Sequence, residues 1–366
     1  MKEKVCHITS AHDRNDVRIF MKECVSIAKN GYDVSLIVND IYPDELNKGV
    51  KIISTNFKPK NRIERFIKSK KMIYRKALEV NADIYHLHDP DLLPIGNKLK
   101  KKNKKVIFDS HEDVPKQILD KTWIPKNLRR CISDMYSFYE KRTLKKYDAI
   151  ISVTPHIVER LLKINANTVL VTNYPILGEL IDLNRKSSNS ICFAGGITSQ
   201  YNHDKIIKAI EEIDDIEYIM AGGGTKEYLS SLQSLPGWGK VNYVGTVSHE
   251  EVKDIYSKSI AGLALDYSTQ GKEHGTLGII KMFEYMEAGI PIICSDYELW
   301  KRLVDKEDCG ICINPNSIED IRKAINYIMT NQDKARLMGE NGKRASVDKY
   351  NWGTQEKILL DLYRSL

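Results

Sequence analysis

Long hydrophobic runs and paired cysteines are both missing from this chain of 366 residues. A membrane-spanning helix needs about 20 consecutive apolar residues, and no stretch comes near that. The opening, MKEKVCHITS, passes straight into strand-like sequence and lacks the apolar centre of a secretory signal. Seven cysteines (6, 24, 131, 192, 294, 309 and 312) are an odd number spread over a long chain, which speaks against a disulfide framework. Cys309 and Cys312 form a lone CxxC without a second pair, so packing rather than zinc is expected. Zinc-finger spacing and RNP-type aromatic signatures are absent too, which makes nucleic acid the weaker choice of partner. What is left is a soluble, reduced, cytosolic protein, 42% hydrophobic and 29% charged, of two-domain length.

Charge is unevenly shared. The first 180 residues hold 34 basic and 22 acidic side chains, the rest 22 and 27. The basic excess lies in Lys58–Lys76, Lys98–Lys105 and Lys121–Lys146. Any one such run is most simply a solvated helix face. Three in one half point to a surface that meets something acidic, such as an anionic membrane at about 1 kcal/mol per charge.

Short apolar runs alternate with helical stretches almost from end to end. Strand-like runs occupy 4–9, 33–38, 50–55, 83–88, 105–110 and 149–154, with helical period over 18–30, 63–80 and 127–146. A second series follows at 169–173, 191–196, 216–222, 241–245, 261–267, 291–296 and 309–314. Helices are expected between these at 203–213, 225–233, 249–257, 278–288, 318–330 and 332–350. Strand–helix alternation given twice predicts an α/β protein with two doubly wound parallel sheets. The boundary is expected in 174–189, where Pro, Gly and polar residues gather. Ligands in such sheets bind beyond the carboxyl ends of the strands, which makes the loops there the candidate sites.

The most informative stretch is EHGTLGIIKMFEYMEAGIPIICSD (273–296). A glycine-bearing loop opens a helix near Gly278, and free N–H groups at a helix start suit a pyrophosphate. Lys281 lies in the first turn, and Glu284 has a carboxylate able to accept two ribose hydroxyls. A plain amphipathic helix with Ile279, Phe283 and Met286 inward explains the same residues.

KMFEYMEAGIPIICSD resembles the matching segment of the GT-B glycosyltransferases, specifically retaining family 4 with its Glu-x7-Glu motif, Glu284 standing at the second glutamate. SAHDRNDVRIFMKEC (10–24), DIYHLHDPD (83–91), FAGGITSQYNHDKIIKAI (193–210), IEYIMAGGG, VNYVGTVSHEEVKDIY and KYNWGTQEKILLDLY resemble further family segments, in family order along the whole chain. The resemblance implies two Rossmann-like domains facing across a cleft: an N-terminal acceptor domain (1–178) and a C-terminal donor domain (185–350). A final helix (351–366) would cross back to the first. It also implies a nucleotide-sugar substrate, UDP-sugar favoured and GDP-sugar possible, and a glycan or lipid-linked acceptor. No cofactor is expected, no essential metal and no metal-ligating residues, so the enzyme would be metal-independent. The location would be cytoplasmic, peripheral on the inner membrane face, as in bacterial surface-polysaccharide assembly.

Site residues carry over with departures. Thr276 stands where the family has its first glutamate, and Gly196 and Tyr201 stand where an arginine and a lysine commonly hold the diphosphate. Lys281, Lys205 and the backbone N–H groups of Gly278 and Ile279 would then supply that binding, with Val244–Val247 near the base. His88 matches the family's histidine beside the transferred sugar. His86, two residues back, points the same way. His111 and Glu112, with His12, Asp13, Arg14 and Arg18, are acceptor-side candidates, though Asp16 reads equally as a helix cap and Arg18 as a surface residue. Asp89-Pro-Asp91 looks like a metal-binding Asp-x-Asp but is explained by turn chemistry. Gly222–Gly224 completes no GxGxxG, so a nicotinamide cofactor is a poor fit. An epimerase on the same architecture and a non-catalytic partner of a transferase are the rival classes.

Overall fold

A computed structural model describes residues 2–61, 64–121, 124–178, 189–266 and 280–366. The chain divides into two compact units, Met1–Asn173 with Trp352–Leu366, and Tyr174–Asn351.

The first unit is built on an eight-stranded sheet in the order β3-β4-β2-β1-β5-β6-β7-β8. Its strands are β1 (Lys4–Ile8), β2 (Asp33–Val38), β3 (Glu45–Asn47), β4 (Val50–Ser54), β5 (Ile84–Leu87), β6 (Lys105–Ser110), β7 (Ala149–Ser152) and β8 (Thr168–Leu170). Every pairing is parallel except β3 with β4. The central strands are buried on both faces, which is why they read as unbroken apolar runs. β3 escapes the pattern because it is short and mostly exposed. It exists because Lys48 and Gly49, at φ 49° and 83°, make the two-residue turn that suits a hairpin. The run at 169–173, read as the start of the second series, instead supplies β8, which pairs with β7 and closes this sheet.

Alternation decides which side chains meet. Cys6, Ile8, Tyr85 and Leu87 enter one core, and Val5 and Ile84 the opposite one. His7, His86 and His88 therefore share the second face. That face is covered by the helix over Val17–Lys29 and by the last helix, Trp352–Ser365, which contributes Trp352, Leu359, Leu362 and Tyr363. Trp352 also donates its indole N–H to Ser26 at 2.9 Å.

Among the described residues the second unit has six parallel strands: β9 (Ser190–Ala194), β10 (Glu217–Ala221), β11 (Val241–Gly245), β12 (Ala261–Ala264), β13 (Ile292–Ser295) and β14 (Gly310–Ile313). Their order is β11-β10-β9-β12-β13-β14. Between β13 and β14 lies a helix the periodicity did not single out, Glu298–Glu307. It buries Trp300, Leu303 and Val304 and stops at Asp308 in the left-handed conformation. Each sheet reverses its direction of build once, between β1 and β5 in the first and between β9 and β12 in the second. In doubly wound sheets the ligand crevice opens at that reversal.

Candidate functional site

In the second unit the reversal is bordered by the loops after β9 and β10. Gly195 and Gly222 have φ of 151° and 136°, and a Cβ on Gly222 would sit 1.7 Å from the Gly195 carbonyl oxygen. Only glycine permits that approach. The loops are tied by Gly195 N–H to Ala221 O (3.0 Å), Ile197 N–H to Gly223 O (2.8 Å) and Gly222 N–H to Gly245 O (2.7 Å).

Lys281 reaches this loop from the helix Ile280–Ala288. Its Nζ lies 3.8 Å from the ring centre of Tyr201 and 4.4 Å from that of Phe193. It would touch a Cβ on Gly195 at 3.4 Å. Burial pushes its ammonium down to about 8, partly countered by Asp266 and Glu284. The charge missing at Tyr201 thus stands over the Tyr201 ring, brought from another element. Lys205 faces elsewhere and bonds Asn316. Glu284 is half-buried and accepts a 3.0 Å hydrogen bond from Tyr256. Gly196 and Val244 are exposed and Val247 half-buried on the neighbouring loops. Thr276, Gly278 and Ile279, with Glu273, lie outside the described residues.

In the first unit the reversal is filled by histidines. His7 and His86 are direct partners across β1 and β5, and His88 continues the ladder with its N–H on Ile8 O at 3.1 Å. His7 Nδ1 and His88 Nε2 are 2.9 Å apart. The Tyr363 hydroxyl lies 2.9 Å from His86 Nδ1 and 3.2 Å from His7 Nε2. Glu23 comes from the stretch Val17–Cys24, which is wound as a π-helix and capped by the Asp16 carboxylate on Ile19 N–H at 2.8 Å. A π-turn sets residues five apart on one face. So Arg18 meets Glu23 at 3.1 Å, and Arg18 is buried, not a surface residue. Arg18 also clasps Asp109 with two nitrogens, at 3.0 and 3.1 Å, and donates to Val171 O.

Burial pushes His7 and His86 well below the usual imidazole range and His88 down to about 4. Burial alone would raise the Asp109 carboxyl, but Arg18 and His111 hold it well below its usual range. Glu23 goes the other way, pushed well up by burial against the pull of Arg18.

The network reaches solvent at one end. His111 Nε2 is 3.0 Å from Asp109 and 3.4 Å from His88 Nδ1, and the His12 ring lies tilted at 52° with its centre 5.3 Å from that of His111. Their side chains are 19% and 32% exposed, against 0% for His86 and His88. Asp89, 3.4 Å from His12, raises the pKa of that imidazole. Its other contacts are the Thr9 hydroxyl and Ser10 N–H, both at 2.7 Å. Asp13 is exposed, and the Arg14 side chain is turned to Asp40, Glu45 and Pro43 O. Glu112 is exposed and bonds Gln117. Structure thus joins His12, Arg18, His86, His88 and His111 in one network and leaves Arg14 and Glu112 out of it. His7, Glu23, Asp109 and Tyr363 belong to it without having been singled out. The signal for His7 was its place two residues beyond Val5 in the strand beside His86. Glu23 is spaced for a π-turn, which α-periodicity hides.

Two family models match in succession: glycosyltransferase family 4 over residues 22–173 and glycosyl transferases group 1 over 181–345. The chain belongs to the family 4, group 1 glycosyltransferases. An uncharacterized glycosyltransferase of Methanocaldococcus jannaschii is 25% identical over 261 residues, covering 63% of this chain and 62% of its own length. A second from that organism is covered over 61%, so the chain spans under two thirds of either relative. Among solved structures, sucrose-phosphate synthase from Thermosynechococcus elongatus matches at TM-score 0.77 and 18% identity, over 100% of this chain and 99% of that one. HepE from Anabaena, solved with UDP and glucose, matches at 0.69 and 11%, over 100% of both chains. These likenesses establish the GT-B fold of two Rossmann-like units.

Proposed function

We propose that this glycosyltransferase moves a sugar, with retention, from a nucleoside diphosphate sugar to a glycan or lipid-linked acceptor. The observation that carries this reading is Lys281, a buried ammonium held by two aromatic rings under the glycine loop where the second sheet reverses. A cation kept at such cost to solvation is suited to an anionic ligand, and a diphosphate leaving group develops negative charge as its bond to the sugar breaks. Backbone N–H groups at Gly278 and Ile279 would share that charge, with Gly196 beside it and Thr276 toward the sugar. Glu284 would hold the ribose hydroxyls and Val244–Val247 would flank the base. UDP is the favoured nucleotide, since HepE was solved with it.

The acceptor side belongs to the first unit. His111 and His12, the exposed members of the network, would meet sugar hydroxyls, with Asp13, Arg14 and Glu112 around them. Arg18, His86 and His88 would hold them in place. The leaving diphosphate takes the acceptor proton, so no separate carboxylate base is required. A lipid-linked acceptor at an inner membrane face is supported by the helix Lys126–Leu144. Leu128, Ile132, Met135 and Phe138 are 39–68% exposed on it, among exposed Arg130, Lys141 and Arg142. Apolar side chains rimmed by cations suit an anionic bilayer surface.

The test is thermal unfolding with UDP, GDP, ADP and CMP, for the wild type and Glu284→Ala. Ligand at 100 times Kd stabilises by about 2.7 kcal/mol. A shift with one nucleoside diphosphate, lost in Glu284→Ala, is expected. No shift with any of them overturns the donor site and favours a non-catalytic partner.

A further inference from the structure

Four donors converge beneath the exposed histidines, and the sugar-transfer reading uses none of their inward atoms. His7 Nδ1, His86 Nε2, His88 Nε2 and a Glu23 oxygen lie within 4.8 Å of one another, all fully buried. Glu23 Oε2 is 4.0 Å from His7 Nδ1 and 3.9 Å from both His86 Nε2 and His88 Nε2. Ligand atoms about 2.0–2.1 Å from a tetrahedral zinc ion stand about 3.4 Å apart, so shifts of a few tenths of an ångström give that geometry. His86 Nε2 and Glu23 Oε2 have no hydrogen-bond partner among the described residues, while Glu23 Oε1 is taken by the Arg18 guanidinium at 3.1 Å. Leaving such atoms unsatisfied inside a protein is costly.

The outer atoms are equally telling. His86 Nδ1 and His7 Nε2 both meet the Tyr363 hydroxyl, His88 Nδ1 faces Asp109 at 3.6 Å, and Glu23 Oε1 pairs with Arg18. A metal-bound histidine characteristically donates its other N–H to an oxygen, which fixes the tautomer and aims the ring. His7 and His86 share that oxygen in Tyr363, His88 has the Asp109 carboxylate just beyond hydrogen-bond distance, and all three present the remaining nitrogen to the same point.

We propose that His7, His86, His88 and Glu23 form a closed, four-coordinate structural site for a zinc-class divalent cation in the first unit. Imidazole and carboxylate donors suit zinc, and four protein ligands leave no position for a substrate, so the ion ties elements together and does no chemistry. It would pin β1, β5 and the π-wound helix at the sheet's reversal and lock the His88 ring toward Asp109 and His111. The proton now shared between His7 Nδ1 and His88 Nε2 moves to an outer nitrogen when the ion binds, so a neutral imidazole is presented by each ring, and a proton held by the Glu23 carboxyl is released to solvent. The inference does not depend on the sugar-transfer reading.

The test uses the full chain, free of any affinity tag, unfolded and refolded with Zn²⁺ or Co²⁺ or with a chelator, because a buried site fills as the chain folds. One ion per chain that survives dialysis is expected, together with the visible absorption of tetrahedral Co²⁺ and a higher unfolding temperature. Glu23→Gln and His86→Gln should each lose the cobalt spectrum, while His111→Gln, outside the donor set, keeps it. Wild-type chain that refolds identically with the chelator, or that holds Co²⁺ only as a weak octahedral complex, overturns the site. So does a tetrahedral spectrum that survives in Glu23→Gln and His86→Gln alike. The wild-type spectrum decides the matter even where a variant fails to fold.

Discussion

Replacing Lys281 by Met keeps a long flexible side chain between Tyr201 and Phe193 and removes only the charge. The ammonium sits at about 8 in the folded chain against 10.5 when solvated, with burial as the leading cause. At 1.36 kcal/mol per unit, holding it charged at pH 7 costs the folded state about 3 kcal/mol. Cation–π attraction to the two rings offsets about 0.5–2 kcal/mol of that. Lys281→Met should therefore stabilise the ligand-free protein by about 1–3 kcal/mol, or about 2–12 °C for a domain the size of Tyr174–Asn351. The pH dependence gives the sign an independent check. Between pH 8 and 10.5 the unfolded wild type binds a proton that the folded protein lacks, so wild-type stability climbs with pH and the variant's advantage fades. Calorimetry of both proteins from pH 7 to 10.5 reads this difference directly. The same variant should lose the shift with nucleoside diphosphate, trading function for stability. A Met variant no more stable than wild type at pH 7 would refute the argument, since burial would then not be the dominant effect on Lys281.

Gly222→Ala places a methyl group into the Gly195 carbonyl and should destabilise the second unit by about 3 kcal/mol or more, read by urea unfolding. Asp109→Asn leaves the buried Arg18 short of its bidentate partner and should cost about 3–5 kcal/mol, whereas Arg336→Gln, whose pair with Glu340 is exposed on both sides, should cost at most about 1 kcal/mol. Asp89→Asn should lower the His12 titration midpoint, followed by NMR, because the carboxylate 3.4 Å away is what raises it. Met135→Ser with Phe138→Ser should weaken sedimentation with anionic vesicles and leave nucleotide-induced shifts intact. Equal sedimentation would remove the helix Lys126–Leu144 from the membrane argument.

What was legible in the sequence was whatever repeats with a simple period. Parallel strands sealed on both faces must be apolar throughout, so β1, β2, β6 and β10 stand out almost to the residue. β3 was not legible because three exposed residues carry no period, and its cause is a turn conformation. The same distinction runs through the site. Lys281 and Glu284 could be picked out because they ride one helix beside a glycine loop. That the Lys281 ammonium lies over the Tyr201 and Phe193 rings could not, because the aromatic cage joins residues some 80 apart. The histidine network is the extreme case. His86 and His88 were visible as a pair, yet their chemistry depends on β1 lying beside β5, on a π-turn bringing Glu23 under Arg18, and on the last helix delivering Tyr363. Spacing along a chain reports what one element presents to its surroundings. A site assembled by strand order becomes readable only once that order is known, and in this protein strand order puts the buried donors where the first sheet turns back on itself.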